Sequence, residues 1–266
     1  MNGLDGKVVI VTGATGGIGR GIALRLAARG ARIAINGRSA EKAAAVIAEI
    51  EALGSEAHFV PGDVRSREDM TRVAADVAER FGRIDIVVPN AGGIDDEARS
   101  PAVRGPFADI DLDRVTAFIG EAVAAKLHIV QAALPHMRKS GGGSIVFVTS
   151  EGGRVPTPTQ TAICTFSGGL IMASKLLSKE LAADNIRVNC VCVTVVRDSP
   201  SWDAAFATEG GVSERHRKQY EKIVAQSPFG VAAPPDIGNI VAFLASDEAH
   251  YLTGAILSPT GGLTLH

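Results

Sequence analysis

Thr12-Gly13-Ala14-Thr15-Gly16-Gly17-Ile18-Gly19 is the stretch on which the fold turns. It follows Val8-Val9-Ile10-Val11, a β-branched run apolar on both faces, as a buried parallel strand requires. It opens a segment, Gly19 to Arg29, that reads as a helix. Glycines between a strand and a helix make a phosphate cradle. A side chain there would hold a phosphate off the backbone, and the helix N-terminus offers unpaired N–H groups and a partial positive charge. Gly13, Thr15, Gly16, Gly17, Ile18 and Gly19 are therefore the candidate contacts for a dinucleotide pyrophosphate.

Outward from this turn, strands and helices alternate. Strands are predicted at Arg32–Asn36, Ala57–Val60, Ile84–Val88, Ser144–Thr149, Arg187–Val195 and Gly254–Ser258. A helix capped by Ser39 runs through Ala43, Val46, Ile47 and Ile50, at helical spacing. Further helices are predicted at Ser66–Phe81, Leu112–Arg138, Thr161–Ala183, Ser213–Gln226 and Pro234–Ala245. Gly92–Asp111 reads as a loop and Asp198–Gly211 as irregular. Strict alternation implies an α/β fold, a Rossmann-type doubly wound parallel sheet covered on both faces. No linker divides the chain, so residues 1–266 are expected to form one domain.

Composition narrows the partners. Lys plus Arg number 27 against 29 Asp plus Glu, a net charge of -2, which gives no basic surface for nucleic acid. Aromatics at 5% make a base-stacking platform an unsuitable expectation. No apolar run approaches the ~20 residues of a membrane span, so no membrane contact is expected. Cys164, Cys190 and Cys192 are sparse and odd in number, which points to a reducing compartment, and the cytoplasm is the default expectation. Cys190 and Cys192 alternate within an apolar run, as two small core side chains on one face of a strand. The six histidines show no metal-ligand spacing, so no metal is expected.

The spacing Thr-Gly-x-x-x-Gly-x-Gly differs from the GxGxxG of two-domain dehydrogenases and resembles that of the short-chain dehydrogenase/reductase family. The resemblance covers nearly the whole chain. Gly62-Asp63-Val64 looks like the family's adenine-contacting turn, and Asn90-Ala91-Gly92 matches three residues of its Asn-Asn-Ala-Gly motif, with Pro89 in first place. Ile186-Arg187-Val188-Asn189 is similar to its sixth strand, and Tyr251-Leu252-Thr253-Gly254 with Gly261-Gly262 to its C-terminal pattern. The resemblance implies about seven strands and a nicotinamide dinucleotide at their C-terminal ends, with Asp63, Val64, Asn90, Ala91 and Gly92 among its contacts. It also implies a small-molecule substrate under a lid at about 196–230. Pairing through the helices at 112–138 and 161–183 would give a homodimer or homotetramer.

The end of the second predicted strand, Asn36-Gly37-Arg38-Ser39, carries no carboxylate to bind a ribose 2′-hydroxyl. Arg38 can pair a 2′-phosphate in bidentate fashion, Ser39 can donate to it, and Arg20 lies near the same end of the first helix. NADP is the expected cofactor, with NAD as the alternative.

The catalytic pattern departs from the family's. Its serine falls at Ser150, but its tyrosine position falls at Ile163 and its lysine position at Ser167. Its supporting asparagine falls at Ile119 or Ala122, and Val193-Thr194 replaces the usual Pro-Gly pair. Hydride transfer leaves an alkoxide that needs an acid poised near working pH. Lys126, His128, Glu151, Cys164, His216 and Tyr220 are the groups that could serve. Trp202, Phe206, Val212 and Phe229 in the lid suggest an apolar or aromatic ligand. The expected function is an oxidoreductase of this family with an atypical site, moving hydride to or from a small apolar carbonyl or alcohol. The alternatives are a nucleotide-binding protein without turnover, and a lyase or isomerase on the same scaffold.

Overall fold

Strands apolar on both faces can only be satisfied between two helical layers, and that is how the chain resolves them. The computed structural model describes residues 3–92, 96–207 and 212–265. Strands β1 (Val8–Thr12), β2 (Arg32–Gly37), β3 (Ala57–Pro61), β4 (Ile86–Val88), β5 (Gly143–Ser150), β6 (Ile186–Val193) and β7 (Ile256–Leu257) form one seven-stranded sheet in the order β3-β2-β1-β4-β5-β6-β7. Every pairing is parallel. The β1–β2 register sets Thr12 opposite Asn36, so the glycine turn and the Arg38 turn leave the sheet at the same level. The strand order reverses between β1 and β4, which opens a crevice at their C-terminal ends.

The helices are α1 (Gly17–Ala27), α2 (Ala40–Ala52), α3 (Arg67–Phe81), α4 (Asp96–Arg99), α5 (Leu112–Lys139), α6 (Thr161–Glu180), α7 (Pro200–Phe206), α8 (Glu214–Gln226) and α9 (Pro234–Ala245). Side chains alternate across each strand. Val8 and Ile10 pack with Met70, Val73, Phe118 and Phe166, towards α3, α5 and α6. Val9 and Val11 pack with Ile22, Ile50 and Val241, towards α1, α2 and α9. Burying each Val or Ile side chain stabilises by about 1.5–3 kcal/mol, so this alternation fixes which helix covers which face.

Three sequence expectations change. The segment read as irregular contains α7, begun by Pro200 in the first turn and capped by Ser199, whose side chain accepts the Trp202 N–H. Residues 208–211 of that segment lie outside the described residues. The segment read as loop contains the single turn α4, and its residues 93–95 lie outside the described residues. Finally, α5 and α6 are long and apolar enough, by length and composition, to cross a membrane. They serve as core helices instead. Ala122, Ile129 and Ala133 of α5 and Ala162 and Leu170 of α6 are buried, and Phe118 meets Phe166 edge to face at 6.0 Å.

Candidate active site

The glycine turn is held by close backbone approaches. Gly13 has φ 67°, and a Cβ there would stand 2.9 Å from the Ala91 Cβ. A Cβ at Gly19 would run into the Gly13 carbonyl. The N-cap of α1, Gly16, makes no side-chain capping bond, and the first turn has no acidic residue. That N-terminus thus presents N–H groups and the positive end of the helix dipole without an internal anion. A pyrophosphate fits these features.

Thr12 clamps the crevice, a role the sequence did not single out. Its Oγ1 accepts the N–H groups of Asn90 and Ala91 at 3.0 Å each, and Asn90 Nδ2 donates to the Thr12 carbonyl at 3.0 Å. The signal was present in the threonine that ends the strand, one residue before the first glycine. The crevice floor is Gly13 and Thr15. Its rim is Gly37 and Arg38 on one side and Gly62, Asp63, Val64 and Arg65 on the next, with Ala91 and Gly92 beyond. Phe118, Glu121, Ala122 and Ala125 of α5 form the far wall.

Not every candidate faces this cleft. Gly16, Gly17, Ile18, Gly19, Ser39 and Asn90 are not among its lining residues. The Ser39 hydroxyl accepts the Lys42 N–H at 3.3 Å, so it caps α2. Arg20 is bonded to Glu49 and is not among the residues lining the cleft. Arg38 is exposed at the rim. Asn36 is buried, and its Nδ2 donates to the Val60 and Gly62 carbonyls at 3.2 and 3.3 Å, which holds the β3 turn in place. Hydrogen bonds from Arg65 hold the Asp63 carboxyl down to about 2, with help from the charge of Arg38.

Ser150 lies at the tip of β5, its Oγ accepting the Gly152 N–H at 3.1 Å. Ile163 is buried in the first turn of α6, and Ser167 one turn later is 0% exposed, its Oγ without a partner among the described residues. Neither side chain titrates in the working range. The other candidates divide by what holds them. His128 Nδ1 bonds the Val64 carbonyl at 3.1 Å, which fixes α5 to the β3 turn. The buried Glu151 carboxylate accepts from Ser258 at 2.6 Å and from Thr264 at 3.1 Å, tying the C-terminal segment to the site. Cys164 Sγ donates weakly to the Thr157 carbonyl at 3.9 Å. Burial, then Arg104 and Arg99, push the His216 imidazole down to about 3, and burial pushes the Tyr220 phenol up.

Lys126 stands apart. It is 2% exposed, and its ammonium donates to the carbonyls of Asn90 at 2.8 Å and Pro89 at 3.2 Å. Burial pulls it down to about 7. It lies one helical turn beyond Ala122, which lines the cleft. Burial thus brings this amine from the usual lysine range to the neighbourhood of neutral pH.

The comparisons with known proteins agree with this architecture. Residues 7–210 match the family model described as short chain dehydrogenase. The chain is 34% identical over 266 residues to the 7α-hydroxysteroid dehydrogenase of Clostridium sardiniense, spanning 100% of this chain and 96% of that protein. It is 32% identical over 263 residues to the 3-oxoacyl-[acyl-carrier-protein] reductase FabG of Thermotoga maritima, spanning 98% and 99%. A solved structure of 7α-hydroxysteroid dehydrogenase complexed with NADH and 7-oxo glycochenodeoxycholic acid superposes with TM-score 0.85 at 28% identity, over 98% of this chain and 95% of that one.

Proposed function

This chain belongs to the short-chain dehydrogenase family of oxidoreductases, and on that premise we propose that it is an NADP-dependent oxidoreductase with an altered proton path. The observation that carries the cofactor choice is the rim of the cleft. β2 ends in Gly37 and the exposed guanidinium of Arg38, with no carboxylate in the Asn36-Gly37-Arg38-Ser39 turn to repel a 2′-phosphate. Arg38 would hold that phosphate, and Gly13, Thr15 and the open N-terminus of α1 would hold the pyrophosphate. Asp63 and Val64 would contact the adenine, and Ala91 and Gly92, on the other side of the cleft, the nicotinamide ribose. A bound nicotinamide supplies or accepts the hydride.

Ser150 is the residue that would polarise the substrate oxygen. With Ile163 and Ser167 at the positions of the family's tyrosine and lysine, Lys126 takes over the cationic role. Its ammonium is fixed on the strand end that carries Asn90 and can release or regain a proton near neutral pH. The lid is the region about 196–230, and Trp202, Phe206 and Val212 give it an apolar lining. Phe229 does not join them, since it is exposed. A small apolar carbonyl or alcohol is the matching substrate. A homodimer or homotetramer through α5 and α6, in the cytoplasm, completes the proposal.

The test is NADPH oxidation against a panel of apolar ketones and aldehydes, beside NADH. Turnover that prefers NADPH and falls in Lys126→Met supports the proposal. NADPH binding without any hydride transfer favours the second reading, a nucleotide-binding protein without turnover. That reading draws on the buried Ile163 and Ser167.

A further inference from the structure

We propose that Arg104, His216 and Tyr220, between the segment before α5 and helix α8, form an anion subsite that takes the carboxylate of an apolar oxo or hydroxy acid. This deepens the oxidoreductase reading and rests on it for the identity of the reacting group only.

The first observation is an uncompensated cation. Arg104 lies in the segment between α4 and α5, which the backbone bonds Arg104 N–H to Ser100 and Asp111 N–H to Ala102, 2.8 Å each, fold into compact turns. Its guanidinium makes no salt bridge or hydrogen bond among the described residues, and its Nε is buried without a partner. Nearby Arg114, by contrast, grips Glu97 with two bonds of 2.8 and 2.6 Å. Holding a partly buried charge with no counter-ion is costly, and a ligand that supplies the opposite charge removes that cost.

The second observation is independent and lies on the lid. His216 of α8 is 5% exposed, and its Nε2 is buried without a partner. Its ring meets Tyr220 edge to face at 4.9 Å. Gln219, on the same helix, donates from Nε2 to the Pro158 carbonyl at 3.0 Å and to Thr159 Oγ1 at 3.2 Å. Those bonds seat α8 on the segment that leads into α6, where Ile163 and Cys164 lie. Arg104 is close enough to feel both Tyr220 and Cys164, and His216 feels Arg104. Three elements thus converge near the segment that leads into α6.

The charge count selects the ligand. Burial holds Arg104 down to about 10 and His216 down to about 3, while Tyr220 is raised. Near neutral pH the subsite offers the Arg104 guanidinium, with Arg99 also within electrostatic reach, one neutral imidazole and one phenol. A planar monoanion matches this set, and a guanidinium fork fits a carboxylate. The adjoining wall is apolar, with Trp202, Phe206, Val212 and Ile223 packed around Tyr220 and Val195. An acid with an apolar body satisfies both surfaces.

The test uses calorimetric titration of the NADP⁺-saturated protein with 3-phenylpropanoate and with its neutral amide, neither of which can be reduced. The acid should bind tighter than the amide by about tenfold or more. Arg104→Met should abolish that preference while NADPH affinity holds, and it should raise the melting temperature of the unliganded protein, because an unpaired charge is gone. His216→Phe, a ring of similar shape without the nitrogens, should weaken the acid alone and serves if Arg104→Met does not fold. Equal affinity for acid and amide, no binding of the acid, or a preference that survives Arg104→Met overturns the proposal. Turnover is read separately with 2-oxo-4-phenylbutanoate. Acid-selective binding without NADPH oxidation would leave the subsite standing and sink the redox reading alone.

Discussion

The ammonium of Lys126 is bonded to the carbonyl of Asn90 at 2.8 Å, which ties the middle of α5 to the strand end that bears the Asn-Ala-Gly motif. A buried lysine held at about 7 has an unfolded value near 10.5. Between those values the unfolded chain binds the extra proton and the folded chain does not. Stability from this group therefore rises as pH climbs from 7 to 10.5, and it is flat below 7. The expected contribution over that window is on the order of 5 kcal/mol. Urea unfolding at several pH values should show wild type gaining on Lys126→Met across the window. Parallel profiles would refute the assignment.

Arg38 decides the nucleotide by charge. Arg38→Asp should weaken NADPH by about 10–100-fold, the value of a charge-assisted pair, and leave NADH unchanged or improved. Fluorescence titration of both nucleotides measures this. Loss of affinity for both in equal degree would show that Arg38 is structural.

Glu151 joins the active-site strand to the end of the chain through Ser258 and Thr264, and Arg154 Nη1 also donates to Ser258 at 2.8 Å. Glu151→Ala leaves those donors unanswered and should cost about 1–3 kcal/mol. Hydrogen exchange should quicken over residues 256–265 before the rest of the sheet. Glu151→Gln, which keeps one acceptor, should fall between wild type and alanine. Unchanged exchange in Glu151→Ala would count against the tether.

On α6, Met172 and Leu176 are 64% and 61% exposed and lie four residues apart, so they share one face. Two large apolar side chains beside Gly169, which has nothing near its Cβ position, suit a helix-to-helix contact between copies of the chain. Met172→Glu with Leu176→Glu should shift the sedimentation profile towards monomer and leave monomer folding intact. A wild type that sediments as a monomer at all concentrations disproves the contact.

Replacing Ile163→Tyr and Ser167→Lys together places a phenol and an ammonium one turn apart on α6. Both sites are buried, so overpacking should cost about 1–3 kcal/mol. Where the variant still folds, ketone reduction should rise above wild type. No gain in a folded, NADPH-binding variant would argue that the existing proton path is already sufficient.

What the sequence determined by itself was local. β1, the glycine turn and the start of α1 follow from a β-branched run and from glycines, of which Gly13 and Gly19 leave no room for a side chain. Ser39, Ser66 and Ser213 marked helix starts because a capping hydroxyl acts within three residues, accepting the Lys42, Asp69 and His216 N–H groups. The strand ends that gather Gly13, Arg38, Asp63 and Ala91 were legible too, since parallel alternation leaves the loops of one polarity on one edge. Partner choice was not legible. Arg20 turns to Glu49 rather than to the cleft, Lys126 reaches the Asn90 carbonyl, and Arg104 meets the lid, because α1, α5 and α8 pack where they do. Residues far apart in the chain become neighbours only once two helical layers have closed on the sheet. A side chain's protonation and bonding depend on those neighbours and on its burial, which no short stretch of sequence encodes.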